Sequence, residues 1–420
     1  MKLCENDKQT GVRLQIVVVS PFLDRRHGTE LCIIEQIERL SSNYGWGIHL
    51  FSQHVENVDG LLTEAPKSSA AGFICWHKVS DIPSPHLLKF LWWFFANRSA
   101  RKKALKRLEE RPLLVYSPGI NCLDADAITV HIVFHEFYAR VRGELELLKV
   151  PLNKWPVTLH RKIYYKLIMA LERRIYTNPN VRLAAVSKLV SAQLEKHFGR
   201  TDSVVISNAV DTLIFNHEAR LGRRSVSRQG LKLDDSDFVV LLIGNDWKKK
   251  GLGQLLRAMA IIEIPVQLLV VGKDDPGLYR SALRQLGLED RVRFLTASAD
   301  VLSFYAAADA YVAPSLEDAF GLPILEAMAC GLPVIASVQA GASENVLDGV
   351  TGYLLRDPMN QVELADLIRR LAGDRSAAQK LGAAAAQYVQ ASVSWDHNAS
   401  ATREFLENAL ASRQIQNSAL

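Results

Sequence analysis

The chain has 420 residues, more than one hydrophobic core usually serves, so two domains are the default expectation. Apolar residues make up 48% and charged residues 23%, the balance of a folded soluble protein, which sets aside a disordered or fibrous chain. The net charge is a mild +5, and no zinc-finger or RNA-binding aromatic motif is present; nucleic acid is not expected as a partner, whereas polyanionic lipid stays open.

Met1 to Arg13 is polar and charged, and the apolar run Ile16–Val19 behind it is too short for a signal peptide. No apolar run reaches the roughly 18–20 residues that span a bilayer. Five widely spaced cysteines (Cys4, Cys32, Cys75, Cys122, Cys330), odd in number and without a CxxC pair, fit a reducing compartment. A cytoplasmic protein is expected, with peripheral membrane attachment as an option.

Short β-branched runs alternate with helical patterns, which predicts α/β architecture with mostly parallel sheets. Strands are predicted at Leu14–Ser20, Gly47–Ser52, Leu113–Tyr116, Ala127–Phe134, Val181–Val186 and Val204–Ile206. A second set covers Phe238–Ile243, Gln267–Val271, Val292–Leu295, Ala310–Pro314, Pro333–Ser337 and Gly352–Leu355. Two Rossmann-like domains follow, 1–212 and 213–395, with a helix in 396–420 expected to pack back on the first. The charged tract Glu218–Asp237 reads as a linker or irregular entry to the second domain. In such proteins the ligand sits at the carboxyl ends of the strands.

In the first domain, Gly28 in the turn after the first strand lets backbone approach a ligand. The segment Pro85–Arg111 sets an apolar run containing Trp92 and Trp93 beside Arg98, Arg101, Lys102, Lys103, Lys106 and Arg107, as in an interfacial membrane helix. The ordinary alternative is a buried helix with a solvated basic continuation. Asn121, Asp124 and Asp126 could meet an acceptor, or serve as loop and strand-start residues. His131 and His135, an even number apart on one predicted strand, would share a face. A zinc site is not expected, since HExxH is absent and no third ligand is evident.

In the second domain, Lys250 stands between a strand and a helix, where it could reach a phosphate or simply be solvated with Lys248 and Lys249. From Pro314 to Gly331 a strand enters a turn that opens a helix at Leu322–Pro323. Free N–H groups at such a start suit a diphosphate, and Asp318 and Glu326 flank it with carboxylates. A phosphorylated, hydroxyl-rich ligand such as a nucleotide-sugar fits. There is no GxGxxG (Gly251-Leu252-Gly253 lacks the third glycine), no P-loop and no GxSxG elbow.

Taken together these motifs resemble the retaining GT-B glycosyltransferases, specifically family 4, the group 1 glycosyltransferases. The resemblance covers nearly the whole chain. It rests on Gly28-Thr29-Glu30, Thr129-Val130-His131, Val186-Ser187, Asn208-Ala209-Val210-Asp211, the Gly244–Gly251 loop, Ala306–Ser315, Asp318–Glu326 and the Glu344–Gly352 run. The implied fold is GT-B, two Rossmann-like domains with parallel sheets facing across a crevice.

The resemblance also implies roles. Glu326 would hold the ribose hydroxyls, Lys250 the diphosphate leaving group, and Asp318 the sugar hydroxyls. Amides around Phe320, Gly321 and Leu322 would bind the distal phosphate and sugar, with Gly244 and Asn245 in the phosphate loop. The Gly28 amide would assist, and His131 would lie by the anomeric carbon. Neither metal nor other cofactor is needed. Three departures stand out: Asp318 replaces the usual glutamate, with Glu317 one residue earlier as an alternative; Asn245 replaces an arginine, with Lys248 or Lys249 as substitutes; and Asn208-Ala209 replaces Asn-Gly. The expected activity is transfer from a UDP- or GDP-sugar to a lipid-linked or polysaccharide acceptor of the cell envelope. Two further readings are a nucleotide-sugar epimerase of this fold and a non-catalytic donor-binding subunit of a polysaccharide assembly complex.

Overall fold

The computed structural model describes residues 14–26, 28–58, 60–62, 72–106, 113–146 and 151–418. The expectations for Met1–Arg13, and for Arg107 and Arg111 at the end of the aromatic–basic segment, lie outside these residues. The chain divides into two units: Met1–Ile206 with Asn398–Leu420, and Ser207–His397.

The first unit begins with β1 (Gln15–Val19), β2 (Phe22–Asp24), α1 (Gly28–Ser42), β3 (Gly47–Ser52), β4 (His54–Glu56), β5 (Phe73–Lys78) and α2 (His86–Leu105). It continues with β6 (Leu114–Pro118), β7 (Ala127–Val130), α3 (Phe134–Val141), α4 (Trp155–Tyr176), β8 (Arg182–Ala185), α5 (Lys188–Phe198) and β9 (Val204–Val205). Seven strands form one parallel sheet in the order β5-β3-β1-β6-β7-β8-β9, and β2 pairs with β4. Its buried face is built on Ile16, Val18, Ile48, Leu50, Leu114 and Tyr116.

The second unit holds α6 (His217–Gly230), β10 (Phe238–Ile243), α7 (Leu252–Ala260), β11 (Val266–Gly272), α8 (Arg280–Leu286), β12 (Val292–Thr296), α9 (Leu302–Ala307) and β13 (Ala310–Ala313). Then come α10 (Leu322–Ala329), β14 (Val334–Ser337), β15 (Gly352–Leu355), α11 (Gln361–Gly373) and α12 (Arg375–Ser392). Its parallel sheet runs β12-β11-β10-β13-β14-β15. Strands covered on both faces need continuous apolar sequence, which is what Phe238–Ile243 supplies. The last helix, α13 (Trp395–Ser418), places Phe405, Leu406 and Ala409 in the first unit's core.

Two sequence expectations change here. The tract Glu218–Asp237 is not irregular: most of it is α6, capped by the Asn216 side chain accepting from the Ala219 amide. Its basic residues are structural. Arg228 is buried and donates to the carbonyls of Ala307 and Asp237 and to Asp309, while Arg220 donates to the Cys330 carbonyl at 2.7 Å.

The strand expected to run to Phe134 stops at Val130. Both oxygens of Glu172 on α4 accept the amides of Phe134 and His135, at 2.6 and 3.0 Å, and start α3 there. His135 therefore sits on a helix, its Nδ1 2.6 Å from Glu172, and shares no strand face with His131. Burial raises the Glu172 carboxyl to about 8.

In the aromatic segment the two tryptophans bond to separate backbone carbonyls. Trp93 is buried and donates to the Asn121 carbonyl at 2.7 Å, and Trp92 donates to the Ser80 carbonyl at 3.0 Å.

Candidate functional site

The site lies at the carboxyl ends of β10 and β13 in the second unit. β10 ends in a turn whose backbone is held by a neighbouring carboxylate: the Asp246 and Trp247 amides donate to Asp274 at 2.9 and 2.8 Å. Beneath it, buried Trp247 packs on Phe294 with ring centroids 5.0 Å apart. Gly244 makes room for the lysine, since a Cβ there would lie 2.8 Å from Lys250 Cε. At its far end Gly251, at φ +78°, caps α7.

The β13–α10 loop closes on this turn. The Leu316 amide donates to the Lys249 carbonyl at 2.7 Å, and Lys250 Nζ lies 2.5 Å from Asp318 Oδ2. Asp318 is fixed through its backbone, its amide donating to the Gln339 carbonyl and its carbonyl accepting from the Gly341 amide, each at 3.0 Å. This bridge decides which acid faces the lysine: Lys250 pairs with Asp318, one residue on from Glu317.

Gly321 starts α10 at φ +92°, where a Cβ would lie 2.8 Å from Asp318 Oδ2. Pro323 has no N–H and the Ile324 amide donates to the Gly321 carbonyl, so the amides of Gly321 and Leu322 have no partner among the described residues. Phe320 is buried, its amide donating to Asp318 Oδ1 at 3.3 Å and its carbonyl accepting from the Ala342 amide. One turn into α10, Glu326 accepts from Tyr305 Oη at 2.6 Å. Burial pushes the Glu326 carboxyl up, and the Tyr305 bond works against that rise. Thus Lys250, Asp318, Gly321, Leu322 and Glu326 form a cation, two carboxylates and two open amides around one pair of strand ends. Such a set can bind a phosphorylated group through the cation and amides and accept hydroxyls at the carboxylates. Tyr305 carries no signal in the sequence that links it to the site.

Asn245 serves the backbone, its Oδ1 accepting from the Lys273 amide at 3.1 Å and so tying β10's turn to the end of β11. Lys249 lies 3.2 Å from Asp246.

The remaining predicted residues belong to the first unit. Gly28 opens α1 and is exposed. The cations before it are paired, Arg25 with Glu35 at 2.6 Å and Arg26 with Asp24 at 2.8 Å. His131 follows the end of β7, and burial lowers its imidazole to about 4, so it is neutral near pH 7. The three acceptor candidates each have a partner within this unit: Asp124 pairs with Arg101 at 2.7 Å, Asp126 accepts from the Val115 amide at 2.8 Å, and Asn121 Nδ2 donates to the Pro118 carbonyl at 2.6 Å. Among the described residues no group of three or more His, Cys, Asp or Glu is arranged to hold a metal ion.

A pH dependence follows for this unit. Burial also holds His49 near 4, with His77 adding to the effect. Both imidazoles therefore titrate lower in the folded chain than at their ordinary value of 6.5, so between about 6.5 and 4 the unfolded chain binds more protons. The contribution of these two histidines to stability thus rises with pH through that window and is lost as pH falls, opposed above about 4.5 by the raised Glu172 carboxyl, which holds its proton in the folded chain. The melting temperature is expected to drop on acidification toward about pH 5, and less so in His49→Gln/His131→Gln. An unchanged slope in the double variant would remove these histidines as the cause.

Residues 223–388 match the family Glycosyl transferases group 1. The similarity to this family thus lies in the second unit. Lipopolysaccharide glucosyltransferase WaaG of Escherichia coli K12 is 28% identical over 151 residues, covering 35% of this chain and 40% of that protein. D-inositol 3-phosphate glycosyltransferase of Rhodococcus jostii is 32% identical over 235 residues, covering 52% and 50%. In these alignments the chain spans half or less of each relative's length. The crystal structure of Anabaena Alr3699/HepE in complex with UDP-glucose shares the fold at a TM-score of 0.67 and 21% identity, covering 94% of this chain and 100% of that one. The fold is thus GT-B, and the site just described lies inside the segment that matches the family.

Proposed function

We propose that the chain is a retaining, metal-independent glycosyltransferase that moves a hexose from a UDP- or GDP-sugar to a lipid-linked or polysaccharide acceptor of the cell envelope. The observation that carries this reading is the convergence of Lys250 and the open Gly321 and Leu322 amides beside Asp318 and Glu326. In this reading the diphosphate takes Lys250 and the α10 amides, whose positive potential does what a metal would otherwise do. As the anomeric C–O bond breaks, its electron pair moves onto the diphosphate, where fixed positive groups are most effective. Glu326, oriented by Tyr305, accepts the ribose hydroxyls, and Asp318 those of the sugar. The roles assigned to His131 and Gly28 are part of the same proposal. Support for the donor comes from the UDP-glucose bound to the Anabaena protein, and for an envelope acceptor from the name of the E. coli relative.

A thermal-shift screen of UDP- and GDP-sugars tests it. At about 100-fold excess over Kd the right donor should raise the melting temperature by about 5–10 °C. UDP or GDP should then be released only when acceptor extract is added. Conversion of the donor without acceptor would favour an epimerase, and binding without turnover a non-catalytic subunit.

A further inference from the structure

We propose that α2 and α4 of the first unit dock the protein on an anionic lipid bilayer. On α2 the residues Leu88, Leu91, Phe95, Arg98, Lys102 and Lys106 follow one another at helical spacing of three and four, so they form one stripe. Its N-terminal half is exposed and apolar, with Phe95 68% accessible, and its C-terminal half is cationic. The opposite side is fixed inward by Trp93 on the Asn121 carbonyl and by Arg101 on Asp124. The stripe therefore cannot turn into the core.

α4 repeats the chemistry. Trp155, Leu159 and Ile163 are exposed along one face with Lys162 and Lys166 between and after them, and Leu152 just ahead is 75% accessible. The two helices meet where the Leu87 amide donates to His160 and where Tyr164 packs on His86 and Phe90. The β5→β6 and β7→β8 connections both move the same way across the sheet, so right-handed crossovers place α2 and α4 on one face of it.

Charge selects the occupant. Residues 86–106 carry six Lys or Arg, of which Arg101 is turned inward on Asp124 and Lys89 lies 3.6 Å from Asp81, residues 151–171 carry four, and neither stretch contains an Asp or Glu. Exposed apolar side chains beside cations match a bilayer surface, acyl region next to phosphate headgroups. A second copy would present the same positive charge and repel. No described helix is long and apolar enough to cross a membrane.

Co-sedimentation of the full chain with vesicles of phosphatidylcholine, alone or mixed with phosphatidylglycerol, tests the proposal. Pelleting is expected with the mixed vesicles only, weakening as salt rises. Arg98→Glu/Lys102→Glu should lower the partition coefficient at least about tenfold. Leu91→Ser/Phe95→Ser and Leu159→Ser/Ile163→Ser should each do the same, with melting temperatures unchanged because the side chains are exposed. No pelleting with mixed vesicles, or dimerisation that hides the surface, would overturn the proposal. Wild-type binding by the α4 pair would overturn its two-helix form.

Discussion

Replacing Lys250 with alanine is expected, on the proposed function, to slow sugar transfer by about two to three orders of magnitude in kcat, with a smaller change in KM. The ammonium is held before any ligand arrives: Gly244 clears its stem, Gly251 fixes its backbone, and Asp318 is its partner at 2.5 Å. In the proposed reaction a preset cation costs little reorganisation as charge develops on the leaving diphosphate. Alanine removes that cation and leaves the Asp318 carboxylate to the Phe320 amide, at 3.3 Å. Since both partners keep some solvent contact, the stability loss should stay within about 1–2 kcal/mol. The single-turnover rate and the melting temperature, measured on the same preparation, separate the two effects. A variant that melts normally and transfers sugar at the wild-type rate would sink the leaving-group role.

The second large effect is on folding. Gly251→Ala should destabilise the second unit by about 3 kcal/mol or more. The residue sits at φ +78°, and a Cβ there would fall 2.0 Å from the Pro314 carbonyl oxygen. That carbonyl closes β13 and belongs to backbone, so it cannot swing aside as a side-chain tip could. Two residues on, Gly253 lies inside α7 with only the Arg257 guanidinium near, at 3.8 Å, so Gly253→Ala should stabilise by about 0.5–1 kcal/mol. Urea midpoints for the two variants should move in opposite directions. A shared direction would mean that the backbone, not the missing Cβ, sets these positions.

How much of this was legible in the sequence depends on where each residue's partners lie. Phe238–Ile243 was read to its ends because a strand covered on both faces carries an uninterrupted apolar run. The start of α10 was legible too, since Gly321, Leu322 and Pro323 advertise a helix start locally. The end of β7 was not: Ile132, Val133 and Phe134 look like continuing strand, and the stop comes from Glu172, 38 residues away. The α6 helix was hidden for the same reason, as Arg228 is buried only because Asp309 and the Ala307 carbonyl receive it. Choosing between Glu317 and Asp318 needed the pairing of Asp318 with the Gln339–Gly341 backbone, which no local pattern encodes.

The path of α13 bears on how the protein is made. Ser207–His397 is a contiguous stretch of sequence, whereas the first unit is assembled from both sides of it. Phe405, Leu406 and Ala409 must therefore leave the ribosome before the first unit's core can be sealed. The segment synthesised first is the one completed last. Until then it holds an unfilled apolar surface, where chaperone dependence and truncation damage should concentrate.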